Sequence, residues 1–154
     1  MNVLLVIHSW LRWAVIITAV WTLLRAIAGL SGNKAYAAGD NKSSLSFMIS
    51  MDLQFLTGIL LYFIGGWAEN WSGGQIGAVM QNAPQRFFTV EHEVMMILAW
   101  IIVHIGRTVV KRANTDRTKH SKSLVYFLVA FILILIATPW PFRAGLGFHS
   151  WFRF

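Results

Sequence analysis

Four apolar stretches dominate the chain: Val3–Leu24, Leu45–Ile64, Phe87–Val110 and Leu124–Thr138. A helix that crosses a bilayer needs about 20 mostly apolar residues in a row, within a range of about 17–25. The first three stretches reach that length. The fourth reaches it if its helix runs on through Trp140–Phe142. Helices of a soluble bundle carry a polar stripe, which these stretches largely lack. Only 12% of the 154 residues are charged, against roughly 25% in an ordinary soluble domain. The expected fold is all-α: one transmembrane domain over residues 1–154, a four-helix bundle running up-down-up-down. Its spans fall near 3–26, 45–65, 87–110 and 123–142, with an aromatic tail at 143–154.

The basic residues orient this bundle. Arg25, Lys34 and Lys42 follow the first span, and Arg107, Lys111, Arg112, Arg117, Lys119 and Lys122 follow the third. Arg86, Arg143 and Arg153 fall on the other side, and Arg12 lies within span one. The positive-inside rule places the two basic loops in the cytoplasm. Both termini are then outside, on the periplasmic side of a bacterial inner (cytoplasmic) membrane. The net charge of +7 is on this reading a topology signal. Lys111–Lys122 meets anionic lipid, and no nucleic-acid partner is expected. The first stretch is expected to be retained instead of cleaved as a signal peptide, because no Lys or Arg precedes it and Arg12 interrupts its apolar core. The absence of cysteine rules out disulfides, thiolate-bound metal and covalently attached c-type haem. No Walker loop, dinucleotide fingerprint or nucleophile elbow is present.

The tryptophans are distributed unevenly. Trp10, Trp13, Trp67, Trp71, Trp140 and Trp151 map to the outer side, Trp21 to the inner side and Trp100 to mid-span. Tryptophan favours the headgroup level at both interfaces. The bias marks a thick outer anchor, or else an aromatic-walled pocket or partner surface. The Gly-rich outer loop Gly65–Arg86 is long enough to be functional. Its Trp67, Trp71, Ile76, Val79 and Met80 are expected on the membrane surface in a short amphipathic turn. Ala26–Ser44 reads as a connection of about twenty residues. Superposing His8 on His92 brings Arg25 close to Arg107, a weak internal repeat.

His8 and His92 carry the candidate chemistry. Each lies about five residues inside its apolar stretch, in spans one and three, which run in the same direction. They are therefore expected at one depth, near the outer face. A titratable ring inside a bilayer is expensive and points to a functional site. Spans one and three are diagonal in an up-down-up-down bundle, where facing side chains build cofactor sites. Two imidazoles suffice as axial ligands of a b-type haem iron. Arg12, four residues from His8 on the same face, Arg86 or Arg143 would take the haem propionates. Three alternatives stay open. A small copper, iron or zinc ion would use His8, His92 and Glu91 or Glu93. A quinone would use one histidine and one glutamate for its carbonyl and proton. Or each histidine only pairs with a neighbouring Glu or carbonyl.

Nearer the inner face, Asp52 of span two and His104 of span three share a depth. They are expected to share a hydrogen bond, as a proton relay or a structural pair. His104 is also considered as one ligand of a second haem, which lacks an obvious partner because His120 is read as a loop residue. Gln54, Thr57 and Gly58 read as helix-packing residues. Met48, Met51, Met95 and Met96 read as core filler.

His8-Ser9-Trp10-Leu11-Arg12-Trp13, Gln54-x-x-Thr57-Gly58-x-x-Leu61-Tyr62-Phe63, Arg86-Phe87-Phe88-x-x-Glu91-His92 and Pro139-Trp140-Pro141 together resemble a family of small bacterial four-helix membrane proteins labelled cytochrome b. The resemblance covers most of the chain. It implies an inner-membrane protein related to b-type cytochromes, with His8 and His92 as the haem positions. The functional expectation is electron transfer with other membrane or periplasmic redox subunits, without catalytic residues of its own. The alternatives are a cofactor-free accessory subunit of a larger respiratory-type complex, and a small proton-coupled or quinone-binding membrane protein.

Overall fold

The computed structural model describes residues 2–72, 74–143, 145–146 and 151–152. Every regular element among them is helical. Helix α1 spans Asn2–Ser31, α2 spans Ala38–Ile64, and a short α3 spans Ile76–Gln81. Helix α4 spans Ala83–Lys111 and α5 spans Asp116–Ala137. A 3-10 turn, Trp67–Trp71, lies between α2 and α3. Helices α1, α2, α4 and α5 are each long and apolar enough to cross a membrane, as in a multi-pass membrane protein.

The helices are longer at the basic end than hydropathy alone indicates. The connection between α1 and α2 is residues 32–37, much shorter than Ala26–Ser44. Asn33, at φ 46° in the left-handed region, stops α1, a conformation Asn tolerates. Asp40 then starts α2 by accepting the Ala37 N–H at 2.7 Å, which satisfies one of the donors a helix start leaves open. Thr115 caps α5 by accepting the Thr118 N–H at 3.2 Å. That helix therefore begins at Asp116 and holds His120, so this residue is helical and not in the loop that hydropathy indicates. It ends at Ala137 and does not run through Trp140–Phe142, because Pro139 disfavours helical geometry just before it and has no N–H to give. The fourth span gains its length at its polar start.

The four long helices form a ring. Helix α1 packs against α2 and α5, and α4 packs against the same two, leaving α1 and α4 across a diagonal. The core is built from Val15, Ala19 and Leu23 of α1, Phe47 and Met51 of α2, Ala99 and Val103 of α4, and Phe127, Ala130 and Ile134 of α5. Phe47 and Phe127 meet edge to face at 5.8 Å, a favoured aromatic geometry. The outside is as apolar as the inside: Ile17, Leu24, Leu56, Phe63, Val125 and Ile136 are each more than half exposed. Contiguous exposure of this kind marks a surface that meets lipid or protein.

Polar contacts fasten the basic end. Arg25 Nε donates to Asp40 at 2.8 Å. Arg107 donates to the Asn41 carbonyl at 3.2 Å and to Ser44 Oγ at 2.7 Å. Two arginines from diagonal helices thus grip the start of α2.

The aromatic end is closed by the long connection and the tail. Val79 of α3 is buried, whereas Trp71 and Met80 are exposed. The surface turn expected from sequence is thus two short helices, with Val79 turned inward. Helix α4 contains a π turn, Phe87–Glu91. In the tail, the Trp151 carbonyl accepts hydrogen bonds from Arg12 at 2.5 Å and Trp13 at 3.3 Å. Trp13 also stacks on Phe152 at 5.4 Å and meets Trp140 at 6.3 Å. The rest of the expected tail, residues 144, 147–150 and 153–154, lies outside the described residues.

Candidate functional site

A cavity of about 290 Å3 lies inside the ring at its aromatic end, walled by all four long helices. His8 and Arg12 come from α1, Gln54 and Gly58 from α2, and His92 and Glu93 from α4. Thr138, just past α5, completes the wall. His8 and His92 thus reach one cavity from diagonal helices.

Each imidazole is fixed by its Nδ1. His8 Nδ1 lies 3.1 Å from Thr57 Oγ1. The Thr57 hydroxyl has one proton, and it points back to the Leu53 or Gln54 carbonyl, each 3.0 Å away. Towards His8 the threonine can therefore only accept, so His8 Nδ1 carries the hydrogen. The Gln54 amide nitrogen lies 3.0 Å from His8 Nε2 and donates to it. Gly58 makes room for the ring: a Cβ there would stand 3.3 Å from His8 Cε1. His92 Nδ1 lies 2.8 Å from the Ala137 carbonyl oxygen. A carbonyl only accepts, so this nitrogen also carries the hydrogen. Ala137 ends α5, where helix geometry leaves carbonyls unpaired. Both rings are therefore the Nδ1–H tautomer, with the lone pair on Nε2. Anchoring of Nδ1–H by a protein acceptor is how a ligating histidine is usually oriented.

The other candidates divide. Arg12 is in the cavity wall. Arg143, expected to face a cofactor, is not in that wall: it donates to the Ile136 carbonyl at 2.6 Å and covers the Phe87 ring at 5.0 Å. It caps the end of α5, because Pro139 halts the helix and leaves carbonyls that a cation satisfies. Arg86 pairs with Glu91 at 2.7 Å. The described residues contain no cluster of three or more His, Asp or Glu side chains able to hold a metal ion. The small-ion arrangement of His8, His92 and a glutamate is therefore not formed.

Asp52 and His104 meet away from this cavity, with Nε2 of His104 3.2 Å from Asp52 Oδ1. The same oxygen accepts from Trp100 Nε1 at 2.8 Å, and Trp100 stacks on Phe55 at 4.8 Å. Both polar side chains are half-exposed, so the pair sits towards the outside of the ring.

The sequence pattern does not mark Gln54 and Thr57 as site residues, because polar side chains in a span commonly serve packing. Their spacing is the available signal: Gln54, Thr57 and Gly58 lie three and four residues apart and so share one helix face. The same pattern misses His120, which is buried at the basic end.

Comparison of the chain with protein-family models, with curated proteins and with solved structures finds no match.

Proposed function

We propose that the chain is a membrane-embedded, b-type cytochrome-like electron-transfer protein, with His8 and His92 as the two residues that hold haem. The observation that carries this reading is the matched anchoring of the two rings. Each Nδ1–H is tied to a protein acceptor, and each ring lines the same cavity from a diagonal helix. The donor set suits haem better than a bare metal ion, since axial ligation needs only two nitrogens. When bound, haem supplies one-electron redox chemistry. Thr57 and Ala137 orient the two rings that would hold it, and His8 Nε2, now accepting from Gln54, would have to exchange that hydrogen bond for the iron. Arg12 stands where it can meet a propionate. Short motifs similar to those of bacterial proteins labelled cytochrome b agree with this assignment.

On this reading, which the positive-inside rule supports, the basic end faces the cytoplasm of a bacterium and both termini the periplasm, in an up-down-up-down topology. Electrons then pass at the aromatic end, to or from membrane or periplasmic partners.

The cavity volume favours one second reading, a quinone headgroup. About 290 Å3 is at the lower end of small-molecule sites and closer to one substituted ring than to a porphyrin. Gln54 Oε1 is buried there without a partner, an acceptor suited to a quinol hydroxyl.

An absorption spectrum separates the two. Protein purified from haem-replete cells should show a Soret band that shifts on dithionite reduction and is lost in His8→Ala and in His92→Ala. A colourless preparation overturns the haem assignment. Quinone in its lipid extract, reduced in amount by Gln54→Leu, then favours the second reading.

A further inference from the structure

A second cavity, of about 230 Å3, lies at the basic end, between the end of α1, the connection after it and the starts of α2 and α5. Arg25, Lys34, Asp40 and His120 line it. His120 is 1% exposed, and neither of its ring nitrogens has a hydrogen-bond partner. One turn further along α5, the buried Ser123 hydroxyl also lacks one. Such groups are rare in folded proteins and each calls for an explanation. Asp40 does not supply it. Its Oδ1 takes Arg25 Nε at 2.8 Å and its Oδ2 takes the Ala37 N–H at 2.7 Å.

The backbone is shaped around the three basic side chains. A methyl on Gly29 would overlap the His120 ring. One on Gly32 would stand 2.9 Å from Lys34 Cε, and one on Gly39 2.9 Å from Arg25 Cζ. Three glycines therefore keep three cationic or protonatable groups around one space.

We propose that this cavity binds a phosphate group, held by Arg25, Lys34 and a ring N–H of His120. A phosphate offers only acceptors at its ionised oxygens, and the cavity offers donors. Two fixed positive charges face one carboxylate whose oxygens are already engaged. A cation would meet Arg25 and Lys34 at close range and is disfavoured. The cavity opens among the basic loops. Basic pockets between transmembrane helices there bind anionic headgroups, and free phosphate presents the same chemistry. The site is at the opposite end of α1 from the histidine cavity, so its occupancy is independent of any redox cofactor.

The test uses the full chain, delipidated in neutral detergent. Native mass spectrometry compares retention of phosphatidylglycerol with that of phosphatidylcholine, and thermal unfolding reports binding of millimolar inorganic phosphate. The preference for phosphatidylglycerol should fall about fivefold in Lys34→Glu, the weight of one basic residue beside an anionic headgroup. It should fall similarly in His120→Phe and hold in Lys111→Glu, an exposed control at the same end. Stabilisation by inorganic phosphate that Lys34→Glu abolishes identifies free phosphate as the source. A lipid effect alone identifies the headgroup. Either result supports the site. An equal loss in Lys111→Glu, which indicates diffuse charge, overturns it. So does an unchanged Lys34→Glu, which leaves His120 to ordered water. Lys34 is exposed, so its variant stays informative if His120→Phe fails to fold.

Discussion

His92 Nδ1 lies 2.8 Å from the carbonyl oxygen of Ala137, so a side chain of α4 closes the last turn of α5. The contact acts on stability whether or not a ligand is bound. His92→Ala should destabilise the cofactor-free protein by about 1–3 kcal/mol, because the carbonyl loses its donor. His92→Gln keeps an N–H donor and should recover part of the loss. Thermal unfolding in detergent measures both, and equal stability of the two variants contradicts the role.

Thr57 acts through His8. In Thr57→Val the His8 Nδ1–H loses its acceptor while the shape of the side chain is nearly kept. Loss of such an outer partner weakens metal or cofactor binding by about 10–100-fold. Spectral titration with haemin should show that drop, with Thr57→Ser close to wild type. An unchanged affinity in Thr57→Val means that the His8 tautomer does not matter for binding.

The two arginines near the aromatic end should behave differently. Arg143 caps α5, so Arg143→Gln should cost about 0.3–1 kcal/mol of stability and leave ligand affinity in the cavity unchanged. Arg12 lines the cavity, so Arg12→Gln should weaken binding of any anionic ligand group. A weakened affinity in Arg143→Gln at unchanged stability would reverse the assignment.

The π turn sets the register of α4. Deleting Val90 would restore ordinary helix and turn the preceding residues by about 100° relative to His92. Phe87 and Thr89, now buried, would be displaced. The hydrogen bonds of Tyr62 to the Thr89 carbonyl at 3.0 Å and of Asn70 to its hydroxyl at 2.7 Å would break. The segment between α2 and α4 should then be cut faster by protease, while the basic end keeps its protection.

Gly106 tests packing against propensity. Alanine favours a helix over glycine by about 1 kcal/mol. A Cβ at Gly106 would stand 2.6 Å from Tyr126 Cβ, and overpacking costs about 1–3 kcal/mol. Gly106→Ala should therefore destabilise the protein, as read by its unfolding temperature. A gain in stability indicates that α4 and α5 can move apart at no cost.

Much of the architecture is legible because lipid demands a simple pattern. Long apolar runs mark α1, α2, α4 and α5, and hydropathy locates their centres well. It fails at their ends, where Asp40 and Thr115 start helices outside the apolar runs. His120 is therefore helical although it lies outside the apolar run. The positions of His8 and His92 on diagonal helices follow from helix order and spacing. Their partners do not: Thr57 and Gln54 are recognisable only once α2 is docked against α1. Arg143 shows a competition the sequence does not display: a cation at the depth of a ligand group also lies beside the carbonyls freed by Pro139, and it donates to that of Ile136.

The hydrogen bonds from Arg12 and Trp13 to the Trp151 carbonyl join the first helix to the segment that follows α5. Ribosomes add about 5–20 residues per second, so Arg12 emerges on the order of ten seconds before Trp151. During that interval Arg12, which lines the histidine cavity, lacks the Trp151 carbonyl as a partner. A molecule that reaches the cavity during translation therefore meets a guanidinium whose position the segment after α5 has yet to fix.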